Sequence, residues 1–267
     1  MARVKLDPPR GVLSSPSTTT QAHVRYARFH PAAALAASIE HYWSVRWDLD
    51  RAMHRAETLG HPSVHAIFED GKARIWGPAT QRFERVLTGR DRVFGVKFRP
   101  GTFRGLTSSP VSQLADHQRA FTRVFRDGRA FADAILRTDS PEQCAALADE
   151  FFTPRVPPLS VALAATRDLV ERLAKDATIK SVDDAATLAG TDVRTLQRRF
   201  RDRVGVSPKW IIQRYRLHEA AARIERDPRC DLAALAVDVG YFDQPHFSRA
   251  FKKLVGVTPH AFASARR

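Results

Sequence analysis

Three side chains between Thr187 and Phe200 carry the clearest chemistry in this 267-residue chain: Arg194, Gln197 and Arg198. They stand at i, i+3 and i+4, so on a helix they share one face. A guanidinium fork matches the O6/N7 edge of guanine, and a carboxamide matches the N6/N7 edge of adenine. Such a face therefore suits the major groove of a DNA duplex. Arg199, Arg201, Arg203, Lys209 and Arg214 follow closely and are expected to grip phosphates, which positions a protein without specifying a sequence.

Positioning these groups requires a turn and a buried stripe. Gly190 turns the backbone, Asp192 is placed to cap a new helix, and Val193, Leu196 and Phe200 recur at i, i+3 and i+7 as a separate apolar stripe. The arrangement repeats. FRDRVGVSPKWI, Phe200 to Ile211, reappears as FKKLVGVTPHAF, Phe251 to Phe262, at an offset of 51 residues. Upstream of the turn the offset is 50, pairing Val182 with Leu232, Ala186 with Ala236 and Gly190 with Gly240, so the second copy holds one extra residue between Gly240 and Asp243. Two diverged helix-turn-helix units are expected, at about 182–204 and about 232–255. Pro208 opens a helix running to about Arg226, roughly 28 Å long at 1.5 Å per residue. That length approaches the roughly 34 Å of one duplex turn, so the strut can hold two recognition helices in successive major grooves. In the second unit Asp243 is the expected cap, and Phe247, Phe251 and Leu254 face inward. Gln244, His246, Ser248, Arg249, Lys252 and Lys253 are left to face outward, with Ser248, Lys252 and Lys253 read as phosphate contacts.

LAGTDVRTLQRRFRDRVGVSP followed by VGYFDQPHFSRAFKKLVGVTP resembles the DNA-binding domain of the AraC/XylS family of bacterial transcriptional regulators, over about Leu159 to Arg267. The resemblance implies an all-helical domain with two helix-turn-helix motifs joined by a long helix. It also implies base contacts at Arg194, Gln197 and Arg198 in the first motif and at Gln244, His246 and Arg249 in the second. Pro245 departs from the polar residue frequent at its position in the family. More loosely, WGP at Trp76–Pro78 and FRPG at Phe98–Gly101 are similar to sensor-like N-terminal domains of the family, which implies a regulatory or dimerising front half. Double-stranded DNA, RNA polymerase, a small-molecule effector and a second copy of the chain are the partners such a protein would meet.

The remaining sequence fits an α+β protein of two domains. Residues 1–22, rich in Pro, Ser and Thr, read as a flexible arm. Residues 23–152 read as a small barrel or sandwich of short strands with covering helices. The expected strands are Ile39–Trp47, Ser63–Glu69, Ala73–Trp76, Gln81–Leu87 and Arg92–Phe98, with helices over Arg123–Leu136 and from Pro141 to about Phe151. Glu69-Asp70-Gly71-Lys72 signals a hairpin. Tyr42, Trp43, Phe68, Trp76 and Phe98 are candidates to line an effector pocket in the barrel, against the plainer reading that they fill its interior. Residues 153–158, with three prolines, form a stiff connector to the domain at 159–267.

Charge and cysteines bound the function. The net charge of +14 favours a polyanionic partner, but 20 Lys+Arg against 13 Asp+Glu from Leu159 onward make up only half of it. Bulk charge therefore does not locate the DNA-binding half. Met1 to Gly11 is polar and basic, and no run of about 18 apolar residues occurs, so a cytoplasmic, nucleoid-associated protein without a membrane span is expected. No cofactor and no metal is expected: Pro62 between His61 and His65 breaks the helical spacing a metal pair would need. An enzyme is not expected either. The rival would be a thiol-dependent DNA-repair methyltransferase, but Cys144 in EQCAALA and Cys230 in RCDL lack its Pro-Cys-His-Arg pattern. An architectural, nonspecific DNA binder is the other alternative, opposed by the Arg/Gln/Arg face.

Overall fold

Alternating apolar and polar residues from Val24 onward build one antiparallel sheet. The computed structural model describes residues 23–58, 60–81 and 83–266. The arm expected at 1–22 lies outside the described residues. The strands are β1 (Val24–Phe29), β2 (Ile39–Thr58), β3 (His65–Glu69), β4 (Lys72–Trp76), β5 (Phe83–Phe98) and β6 (Gln118–Ala120). Their order across the sheet is β1-β2-β5-β3-β4-β6. The hairpin between β3 and β4 turns on Asp70 and Gly71, both at positive φ (47° and 65°), as a tight primed turn requires.

Three expectations are corrected here. The sheet is open, with β1 and β6 at its ends and no pairing between them among the described residues, rather than a closed barrel. The strands expected at Gln81–Leu87 and Arg92–Phe98 merge into one, β5, which starts at Phe83, because Gly89 at φ 61° and a register shift in β2 between Asp48 and Met53 let the β2–β5 ladder continue. The helix expected from Arg123 starts only at Arg129, since Phe121–Arg123 forms a 3-10 turn and Gly128 intervenes.

One face of the sheet holds the core. Tyr42, Phe68, Phe94 and Phe98 lie on it at 0–1% exposure, under helices α1 (Arg129–Arg137) and α2 (Pro141–Phe152). Phe131 of α1 stacks on Phe151 of α2 with centroids 4.1 Å apart. The Tyr42 hydroxyl and the Ala32 amide both donate to Asp149 Oδ1 at 2.7 Å, fixing α2 to the sheet. The candidate effector pocket is therefore not formed as expected. Tyr42, Phe68 and Phe98 are sealed in this core, whereas Trp43 and Trp76 have the opposite parity and lie on the other face. Trp76 borders a shallow hollow of about 170 Å³ with Ile67, Glu69, Arg74 and Gln118. That is below the roughly 300–1,000 Å³ of small-molecule sites.

The register also lines up a polar row on that second face: His41 (β2), Lys97 (β5), His65 (β3), Trp76 (β4) and Gln118 (β6). Lys97 Nζ donates to Glu40 Oε1 at 2.9 Å, and Trp43 Nε1 donates to His65 Nδ1 at 3.3 Å, which requires that nitrogen to be unprotonated. Burial, with Lys97 and His41 adding repulsion, pushes His65 down to about 3. Burial also lowers His41. Burial opposes the Glu40 carboxylate, but His41 and Lys97 outweigh it and hold it well below the usual carboxylate range. The sign follows by linkage: between pH 6.5 and about 3 the unfolded chain takes up a proton that folded His65 refuses, so stability falls as pH falls through that window. The depressed Glu40 adds a loss below about 4.5. The thermal midpoint of this unit, followed by tryptophan fluorescence, should drop between pH 7 and pH 5. His65→Gln should flatten that part of the slope. An unaltered slope in the variant would refute the assignment.

The chain clusters into two compact units: the residues up to Arg167 with Arg199–Val206, and Asp168–Arg198 with Ser207–Arg267. After residue 160 the secondary structure is helical: α3 (Val161–Lys175), α4 (Val182–Leu188), α5 (Val193–Arg203), α6 (Pro208–Arg226), α7 (Leu232–Asp238), α8 (Gln244–Val255) and α9 (Pro259–Ser264). No helix among the described residues is long and apolar enough to cross a membrane.

Candidate nucleic-acid interface

Each helix-turn-helix motif is built by the same local devices. Ser181 caps α4 in a capping box with Asp184. Gly190 leaves that helix at φ 59°, and the Thr191 amide reaches back to the Ala186 carbonyl at 3.0 Å. Asp192 Oδ1 then accepts from the Thr195 amide at 2.8 Å and starts α5. The Thr195 amide and hydroxyl hold the Asp192 carboxyl below its usual range, so the cap is charged at neutral pH. Leu196 and Phe200 of the predicted stripe are each 1% exposed, and Val193 is half-buried.

The second motif repeats this. Asp231 caps α7 through the Ala233 and Ala234 amides. Gly240 turns at φ 86°, the Tyr241 amide bonds the Ala236 carbonyl at 2.9 Å, and Asp243 Oδ1 accepts from the His246 amide at 2.6 Å. Phe247, Phe251 and Leu254 are buried, as their spacing requires. Gly256 closes α8 in the left-handed region at φ 92°.

Between them α6 runs for 19 residues. Ser207 Oγ accepts from the Trp210 amide, and Pro208 sits in the first turn, where its missing N–H costs nothing. Its buried face carries Ile211, Ile212, Leu217, Ala220, Ala221 and Ile224. Arg216 reaches from it to the Leu173 and Asp176 carbonyls, satisfying the end of α3.

The expected reading residues Arg194, Gln197 and Arg198 are all exposed on α5, and Gln244, His246 and Arg249 are all exposed on α8. His246 also packs its ring edge-on against Tyr241, with centroids 5.2 Å apart. Of the expected phosphate contacts, Arg199, Arg201, Lys209, Lys252 and Lys253 are exposed, and Ser248 is half-buried.

One of those expectations does not hold, and a second side chain is engaged within the protein. Arg214 is 5% exposed, with its guanidinium 5.2 Å from the Trp210 ring centroid, and burial pushes it down to about 10. It serves the interior of the helical unit and is not presented to phosphate; its position i+3 from Ile211 placed it on the buried side of α6. Arg203 donates to the Ala162 carbonyl at 2.8 Å and to Thr166 Oγ1 at 2.9 Å, tying α5 to α3. Sequence reasoning treated both as surface cations because it counts charge without knowing which side of a helix faces a neighbour.

The thiols have the opposite character to a nucleophile. Cys144 is buried and pushed up to about 11 by burial, and Cys230 is raised for the same leading reason. Phe242, which carried no role in the sequence reading, is 93% exposed at the tip of the second turn.

Comparison with known proteins divides along the same line. A family model described as a helix-turn-helix domain matches residues 185–265, and one described as a domain of unknown function matches residues 27–120. The chain is 32% identical over 79 residues to the HTH-type transcriptional regulator MtrA of Neisseria gonorrhoeae. Over a stretch of the same length it is 38% identical to a protein of Streptomyces lividans named as an AraC-like transcription regulator. Those stretches cover 30% of this chain and 26% of each relative, so the match spans about a quarter of the curated relatives' length. Among solved structures, a transcriptional regulator with an AraC-type DNA-binding domain from Chromobacterium violaceum aligns at 21% identity and a TM-score of 0.34, over 39% of this chain and 96% of that one. ToxT from Vibrio cholerae aligns at 12% identity and a TM-score of 0.40, over 90% of this chain and 97% of that one.

Proposed function

We infer that this chain, which belongs to the AraC/XylS family through its helix-turn-helix domain, is a sequence-specific DNA-binding transcription regulator of the cytoplasm. The observation that carries this reading is the pair of capped helices α5 and α8. Each buries a Phe-containing stripe while exposing Arg and Gln or His side chains. Arg194, Gln197 and Arg198 would read one major groove and Gln244, His246 and Arg249 the next, with Arg199, Arg201, Lys209, Lys252 and Lys253 gripping phosphates. Helix α6, about 28 Å long at 1.5 Å per residue, would space the two readers. Two unlike modules in one chain read an asymmetric site, so two-groove contact does not require a dimer.

The proline-rich residues 153–158 would join this domain to a regulatory front half. That half would sense an effector, dimerise, or do both, and the complex on DNA would act on RNA polymerase. An effector would work by binding two states of the chain unequally.

Selection of bound sequences from random duplexes, with the full-length protein at near-physiological salt, tests this reading. The expected product is a motif of two short blocks about one helical turn apart. A single block would confine base reading to one motif. Binding that survives no excess of bulk competitor and yields no motif would replace this reading with nonspecific DNA binding.

A further inference from the structure

The second turn carries one residue more than the first, and the structure says which. Thr191 and Tyr241 make the same bond, amide to the carbonyl five residues back, at 3.0 and 2.9 Å. Asp192 and Asp243 make the same cap, each accepting from the amide three residues on. Tyr241 is therefore the counterpart of Thr191, Asp243 the counterpart of Asp192, and Phe242 is the inserted residue.

An apolar residue just before a helix cap ordinarily folds onto the fourth helical residue and staples the helix start. Here that partner would be Phe247. Phe247 is instead met by Tyr241, at 5.5 Å between centroids, and Tyr241 is itself buried. The stapling position is filled, and Phe242 is left at 93% exposure, the highest among the large apolar residues of the described chain. Phe242 adjoins the cap, two residues before Gln244 begins the helix, at the end from which a recognition helix contacts base edges. Exposed Arg249, Lys252 and Lys253 farther along α8 make the surroundings attractive to a polyanion.

We propose that Phe242 is a specificity-determining residue of the second motif, making an apolar contact with the 5-methyl group of a thymine in the major groove. Phenylalanine is suited to that group, which distinguishes thymine from the other bases. The inference rests on the DNA-reading role proposed above and adds a base contact that the Arg, Gln and His set does not supply.

The test uses the full-length protein and the duplex recovered by selection, with each thymine of the second block replaced in turn by deoxyuridine, which lacks only the methyl. Wild type should weaken at one position by about fourfold, the equivalent of burying one methyl. Phe242→Ala should bind the thymine and deoxyuridine duplexes equally, and Phe242→Leu should keep part of the difference. The thermal midpoint of Phe242→Ala should match wild type, because the side chain packs on little. If wild type shows no methyl-sensitive position, or if Phe242→Ala retains the same sensitivity, the contact is not made. If selection yields no motif at all, the DNA-reading role fails first. The three results are distinct.

Discussion

Phe251→Ala is expected to destabilise the C-terminal helical unit by about 3–5 kcal/mol and to weaken DNA binding with it. The ring is fully buried and contacts Phe247 at 5.6 Å and Phe262 at 5.4 Å between centroids, so it joins α8 to α9. Removing a buried phenyl ring costs about 3–5 kcal/mol, through lost burial and the cavity left behind. A domain of this size holds about 5–15 kcal/mol in total. The loss is therefore a large share of the stability. Far-ultraviolet circular dichroism in a denaturant titration measures it, with Phe251→Leu as the milder comparison. A midpoint unchanged in Phe251→Ala would mean that α8 is not held by this cluster.

Arg198→Ala should leave the fold intact and change what the protein recognises. The side chain is exposed on α5, two residues before the buried Phe200, so its removal opens no cavity. If its guanidinium reads a guanine, the loss is about 1–3 kcal/mol, or roughly five- to 150-fold in affinity for the cognate duplex, and preference at one position relaxes. Arg199→Ala is the contrasting case. It should weaken cognate and scrambled duplexes alike and reduce the salt dependence of binding. Equilibrium binding of both variants to both duplexes at two salt concentrations separates the roles. Equal losses for Arg198→Ala on cognate and scrambled DNA would reassign it to the phosphates.

The helical half was legible in the sequence because its determinants are local. Gly190 and Gly240 occupy positive-φ turns that their sequence positions announce, and Asp192 and Asp243 cap the helices that follow them within three residues. Pro208 and Pro259 mark first turns in which proline is tolerated. The internal repeat supplied a second copy of each feature, so a turn read once could be checked against its partner. The sheet was less legible. Its longest pairing joins β2 to β5, and that pairing survives an irregularity at Asp48/Met53 that interrupts the alternation a strand is recognised by. The edge strands β1 and β6 carry a weaker signal: β1 pairs with β2 alone, and the three-residue β6 is held by β4, far back in the chain.

The candidate sites divide in the same way. Periodicity placed Arg194, Gln197 and Arg198 on one exposed face because 3.6 residues per turn is a property of the chain itself. It could not place Arg214 or Arg203, whose surroundings come from Trp210 on the same helix and from Ala162 and Thr166 far back in the chain. Nor could it tell Tyr42, Phe68 and Phe98, sealed beneath α1 and α2, from Trp43 and Trp76 on the opposite face. Helix starts, turns and the apolar stripes follow from residues within a few positions of one another, so composition and spacing suffice for them. Which cation meets solvent, and which aromatic ring meets a helix, depends on strands and helices brought together across dozens of residues. Burial in that packed interior decides those roles, and a sequence read along its length does not contain it.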